Sequence, residues 1–144
     1  MLDQRAGRPA DALSRYREVV EQDIGFYMAH VRMAEIHEGA ARWDRAVEAR
    51  RHALNANPDD PSLMLDLGVT LAKAGRLADA EEALRQALEA NPRDARVPYY
   101  LGVVQQQLGE AADAAASFRR FLTLAPSRYD RQIADARRRL ASLE

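Results

Sequence analysis

Cysteine is missing from this 144-residue chain, which removes disulfide frameworks, thiolate metal sites and cysteine nucleophiles together. The absence fixes no compartment, because a cysteine-free chain is stable in either redox state. Lysine is nearly missing as well. Lys73 is the only one among 21 basic residues, a bias that, beside the abundant alanine, reads as GC-rich bacterial coding rather than a functional choice. Neither sign of charge dominates: 21 basic against 22 acidic residues leave a net charge of −1, which argues against a dedicated nucleic-acid or membrane-surface binder. Long apolar runs are also lacking. The longest are short pieces such as FLTLAP at 121–126, far below the ~18 residues of a membrane span. The opening residues MLDQRAGRP contain no apolar h-region. Membrane insertion is therefore not expected, and the cytoplasm is the default expectation, with the periplasm open to a piece of a longer exported chain. What remains is 47% hydrophobic and 30% charged, the composition of a globular chain.

That composition is ordered with a period. Pro58, Pro92 and Pro126 recur every 34 residues, as do Ala12, Ala46, Ala80 and Ala114, and the column Tyr16, Arg50, Leu84 and Phe118. Gly68 and Gly102 align with Ala34, and Gly75 and Gly109 align with Ala41. Several independent columns in one register establish an internal repeat. Within a repeat the spacing is helical: Met64, Leu67, Gly68 and Leu71 fall on one helix face, and Leu77, Ala80, Ala83, Leu84, Ala87 and Leu88 on another. Lys73-Ala74-Gly75 breaks the two apart. Asn91-Pro92 stops the second helix, since proline lacks the backbone donor and disfavours helix in the residue before it. Asp60 is suited to cap the next helix, with Pro61 at its first position. Each unit thus predicts an antiparallel helix pair.

These columns resemble the tetratricopeptide repeat, whose signature runs W-x2-L-G-x2-Y, then A-x3-F, then P. The chain reads Met64-x2-Leu67-Gly68-x2-Leu71, Ala80-x3-Leu84, Pro92, and then Pro98-x2-Leu101-Gly102-x2-Gln105, Ala114-x3-Phe118, Pro126. An earlier unit is degenerate, with His30-x2-Met33-Ala34-x2-His37, Ala46-x3-Arg50 and Pro58. The first is half a repeat, with Gly7, Ala12-x3-Tyr16, Val19-Val20 and Ile24 in the proline column. The resemblance implies an all-α fold, a right-handed α-solenoid of stacked antiparallel helix pairs. As one solenoid domain over 1–144 it divides into a half repeat at 1–26, repeats at 27–60, 61–94 and 95–128, and a C-terminal capping helix at 129–144. Ser127 and Asp130 form a capping-box-like start for that last helix, which is expected to run to about Leu143. Met1 falls partway along the first helix of the first unit, which is expected to leave Leu13, Tyr16 and Val20 uncovered. Excision from a longer repeat protein is the preferred reading of that exposed face, and self-association through it the alternative.

Catalytic signals are scarce. No serine has a nucleophile-elbow context, and the glycines fall at repeat positions rather than in a phosphate-cradling loop. His30 and His37 lie seven residues apart beside Glu38, but they occupy columns held by Met64, Leu71, Pro98 and Gln105. Packing histidines are the better reading, since zinc wants three or four convergent ligands. No metal and no cofactor are expected, and an enzyme is not. The basic pairs Arg50-Arg51 and Arg119-Arg120 and the run Arg137-Arg138-Arg139 lie at or near helix C-terminal halves, where cations favourably oppose the macrodipole.

The informative surplus is a second apolar face on the first helix of each pair. Leu65 and Val69 point roughly 100–140° away from the Met64/Leu67/Leu71 stripe. Their equivalents are Val31 and Glu35 in the preceding repeat and Tyr99 and Val103 in the following one, with Ile133 continuing the first column. In tetratricopeptide proteins this face lines the concave groove that holds a partner segment. The resemblance therefore implies a non-catalytic protein–protein scaffold whose groove carries Val31, Arg32, Glu35, Leu65, Asp66, Val69, Arg96, Tyr99, Tyr100 and Val103. Lateral packing between neighbouring first helices is the competing explanation for the apolar members. The family's binders of acidic chaperone tails clamp a carboxylate with basic and amide side chains. Here the matching positions are Val31, Glu35, Asp66, Arg96 and Tyr100, and only Arg96 suits that task.

Overall fold

The computed structural model describes residues 9–22 and 27–144, with the backbone alone for 19–22. Among the described residues eight α-helices follow one another: α1 (Pro9–Gln22), α2 (Tyr27–Gly39), α3 (Trp43–Ala56), α4 (Pro61–Lys73), α5 (Leu77–Ala90), α6 (Arg96–Gln107), α7 (Ala111–Leu124) and α8 (Asp130–Leu143). There is no strand among the described residues. Each helix packs on its neighbour in sequence, and α4 also meets α6. A chain of nearest-neighbour contacts is the signature of a solenoid, in which no single pair buries both its faces. The proximity of α4 to α6 puts first helices on the inner side of the curve.

The turns within the pairs are built alike. Arg42, Arg76 and Glu110 donate their backbone N–H to the carbonyls of His37, Leu71 and Gln105 at 2.8–2.9 Å, the long-range bond of a Schellman cap. That cap needs a left-handed residue, supplied by Gly75 and Gly109 at φ +79°. In the first of these turns the position is held by Ala41 at φ +55°, where a Cβ is strained. At the start of α4, Asp60 accepts from Ser62 N at 2.9 Å and Pro61 sits at the first helical position, as expected from the sequence. The start of α8 differs from expectation: Ser127 opens a 3-10 turn, Ser127–Tyr129, and does not cap the helix.

The core columns pack as their sizes require. A Cβ on Gly68 would lie 2.6 Å from Leu84 Cγ, and one on Gly102 would lie 2.8 Å from Phe118 Cε1. Neither position has room for a methyl group. Leu84, Phe118 and Phe121 are fully buried, as are Ala46, Ala80 and Ala114.

One expectation is corrected at the N-terminal end. Leu13 is not uncovered: it is 5% exposed and clusters with Ala12 and Ile36, with Tyr16 and Met33 packed alongside. Among the described side chains of α1, Ala12, Leu13 and Tyr16 cluster with Ile36 and Met33 of α2. Gly7, Ile24 and the side chains of Val19 and Val20 lie outside the described residues. Arg50, in the C-terminal half of α3, is more than a cation opposing the macrodipole. It is 7% exposed, because it occupies the column that Leu84 and Phe118 use to fill the core.

Candidate groove on the first helices

Arg50 enters the core with partners. Its Nε and Nη2 donate to the two carboxylate oxygens of Glu38 at 3.1 and 3.2 Å, and Thr70 Oγ1 donates to Glu38 Oε1 at 2.5 Å. Burial pushes the Glu38 carboxyl up, but these hydrogen bonds outweigh it and hold the group below the usual carboxylate range. Asp66 lies 3.6 Å from Arg50 Nη1, beyond hydrogen-bond distance. Burial raises its carboxyl, Arg50 lowers it and Glu38 raises it again, leaving a net rise. Glu35 and Arg96 also act on Asp66 through space. Charges from α2, α4 and the start of α6 therefore share one face.

The apolar members of the expected groove divide into two kinds. Val31 and Leu65 are 8% and 3% exposed. Val31 belongs to a buried cluster with Ala53 and Leu63, and Leu65 to the larger core cluster that also holds Val97 and Leu101. For these two, lateral packing describes their surroundings, and they support the face from beneath. Val69 and Val103 are half-buried. Arg32 and Glu35 pair with each other at 2.9 Å. Tyr100 is 38% exposed, a large ring left at the surface of a chain with 6% aromatic residues.

Tyr99 is held from several sides. Its hydroxyl donates to Asp135 Oδ2 at 2.5 Å, and its ring centroid lies 5.1 Å from that of Phe121 and 5.5 Å from that of Tyr100. Burial, then this hydrogen bond, raises its phenol to about 12. Asp135 also accepts from Arg139 Nε at 2.8 Å, and Arg139 Nη1 reaches Gln106 Oε1 at 2.9 Å. The capping helix α8 is thereby fastened to α6. Next to this junction a cavity of about 80 Å³ is lined by Arg96, Tyr99, Tyr100, Phe121, Tyr129 and Gln132. Arg96 is fixed there by bonds from Nε and Nη2 to the carboxylate of Asp94 at 3.0 and 2.7 Å.

Tyr129, Gln132 and Phe121 were not singled out from the sequence as groove residues. Continuing the 34-residue columns past Pro126 places Tyr129 one step beyond Ala95 and Gln132 one step beyond Pro98, which is the signal that reaches them. Glu38 as the partner of Arg50 could be sought the same way, since a charge in an apolar column demands a counter-charge. His30 and His37 are both buried with an unpartnered Nδ1, and His30 stacks on His52 at 5.2 Å.

The tetratricopeptide repeat family model matches residues 28–83 and again 65–129. The chain belongs to the tetratricopeptide repeat family. Members of this family are generally non-catalytic modules of protein–protein interaction, and no helix among the described residues is long and apolar enough to cross a membrane. No curated protein sequence matches it significantly. Among solved structures it is similar to YrrB, described as a tetratricopeptide repeat protein with an unusual peptide-binding site. The TM-score is 0.81 at 21% identity, over 99% of this chain and 71% of that one. It is also similar to MamA, with TM-score 0.79 at 16% identity over 98% and 90% of the two chains. The tetratricopeptide domain of Arabidopsis OM64 matches with TM-score 0.74 at 18% identity, over 83% of this chain and 97% of that one. These likenesses fix the fold, a right-handed tetratricopeptide solenoid.

Proposed function

We propose that the chain is an interaction scaffold that holds an extended partner segment along the face of α2, α4, α6 and α8. The observation that carries this reading is Tyr100, exposed beside an open, tyrosine-lined cavity. Three tyrosines around a small pocket, one exposed and two half-buried, with an arginine and an amide in its wall, make the composition of an interaction hot spot. Val69 and Val103 extend the contact along α4 and α6, while Arg32, Glu35, Asp66 and Arg96 supply polar edges. Val31 and Leu65 hold the floor in place. Tyr99 gives the pocket its shape and Tyr100 gives it reach.

A photo-crosslinking residue in place of Tyr100, compared with one in place of Arg85 on α5, tests the reading in the native host. A partner adduct from position 100 and none from position 85 is expected. Equal adducts from both positions, or none from position 100, would overturn it. Truncating Tyr99 is a poorer probe, because its ring and hydroxyl bind α6 to α7 and α8.

A further inference from the structure

The chemistry of the groove narrows its occupant, given that the groove is the binding face. Inside the tyrosine cavity a ligand cation would face Arg96, and it would find Arg128 already stacked over Tyr129 at 5.1 Å. A ligand anion would find Arg96 already engaged by both oxygens of Asp94. Aromatic walls with no free charge suit an uncharged apolar side chain, and a cavity of about 80 Å³ takes one aliphatic or small ring group rather than a helix.

Toward α2 the balance changes. Arg32 is spent on Glu35 at 2.9 Å, Arg50 gives both its close bonds to Glu38, and Arg96 is spent on Asp94. Asp66 is left with Arg50 Nη1 at 3.6 Å and with a side chain 43% exposed. Glu35 and Glu38, each held by its own arginine, raise the Asp66 carboxyl through space, while Arg50 and Arg96 lower it. Asp66 is therefore a partly open acid without a hydrogen-bonded counter-ion, while Arg32, Arg50 and Arg96 are already paired and Lys73, which also acts on Glu38, stands over the Trp43 ring at 5.8 Å. A guanidinium or ammonium from outside would complete Asp66 with a charge-assisted bond. It would also be steered there by complementary potential.

We propose that the groove selects a cationic extended segment, placing a lysine or arginine on Asp66 and an uncharged apolar side chain in the cavity between Tyr99, Tyr100 and Tyr129. The pairing sets specificity, since an acidic side chain at that place would meet the Asp66 carboxylate instead of completing it.

Selection from a random linear heptapeptide library against the full chain tests this. Enriched peptides should carry a lysine or arginine together with an apolar residue. Replacing that basic residue by glutamine in the synthetic peptide should weaken binding roughly tenfold, the size of one charge-assisted hydrogen bond. Against Asp66→Asn, shown folded by circular dichroism, the basic and glutamine peptides should bind alike. The coupling between the two changes is the measure. Enrichment of neutral or acidic peptides, or an unchanged tenfold preference in Asp66→Asn, would overturn the cation assignment while leaving the groove standing. Complete absence of enrichment would overturn the groove reading and this inference with it.

Discussion

The pair α2/α3 and the two pairs that follow it solve one packing problem in different chemistry. In α4/α5 and α6/α7 a glycine faces a large apolar residue, Gly68 against Leu84 and Gly102 against Phe118, with no room for a methyl group between them. In α2/α3 the same columns hold Ala34 and Arg50, and the arginine is buried against Glu38 rather than being expelled. Two further columns change with them. Buried His30 and His37 stand where Met64 and Leu71 do, and Ala41 stands where Gly75 and Gly109 do. The backbone architecture is indifferent to this exchange. A tetratricopeptide pair requires a filled column, and a fully paired ion can fill it as an aliphatic side chain can.

The largest expected effect comes from breaking the ion pair on one side. Arg50→Leu leaves the Glu38 carboxylate, itself mostly buried, with Thr70 as its hydrogen-bond partner. It should cost about 1–3 kcal/mol in urea unfolding, the penalty of an uncompensated buried group. Adding Glu38→Ala and Ala34→Gly rewrites the columns as Gly68, Ala72 and Leu84 have them, and should recover most of that loss. If the triple variant is no more stable than the single one, the two chemistries are not interchangeable. Next in size is Ala41→Gly, which relieves a left-handed alanine and should raise stability by about 1 kcal/mol. Gly75→Ala should lower it by a similar amount. Smallest near neutrality is a dependence on pH. Burial first, then His52, lowers the pKa of His30; burial first, then Arg42, Arg45 and Arg17, lowers that of His37 against an opposing Glu48. The unfolded chain binds protons at these sites first as pH falls through about 6.5, so their stability contribution is present above that value and is lost below it. Denaturant midpoints measured from pH 8 to 5 should fall, and the fall should be shallower in His30→Met/His37→Leu. An equal slope in both proteins would remove these histidines as its source.

The fold was legible because its signal is redundant. Pro58, Pro92 and Pro126 report the same 34-residue step as the alanine and glycine columns, so a defect such as Arg50 in one column leaves the others intact. The groove was less legible. Val31, Leu65 and Tyr99 occupy one column, yet two are buried and the third is half-buried, because burial there depends on how neighbouring pairs are rotated, which periodicity does not encode. Tyr129 became a wall of the cavity through the 3-10 turn that replaced the expected cap at Ser127. The column of Arg50 was legible, but its partner was not, because Glu38 lies twelve residues away on α2 and only the packing of the pair brings the two together.

The Thr70–Glu38–Arg50 contact joins α4, α2 and α3, and so crosses from one repeat into the next. In a linear array, the tendency of each unit to unfold is set by its own stability and by the bonds to its neighbours. A directional, charge-assisted link at one boundary makes that boundary stiffer than apolar contact alone would. Fraying that begins at α1 would meet this link after the first full pair, and the degenerate repeat would open together with the start of the next one rather than ahead of it.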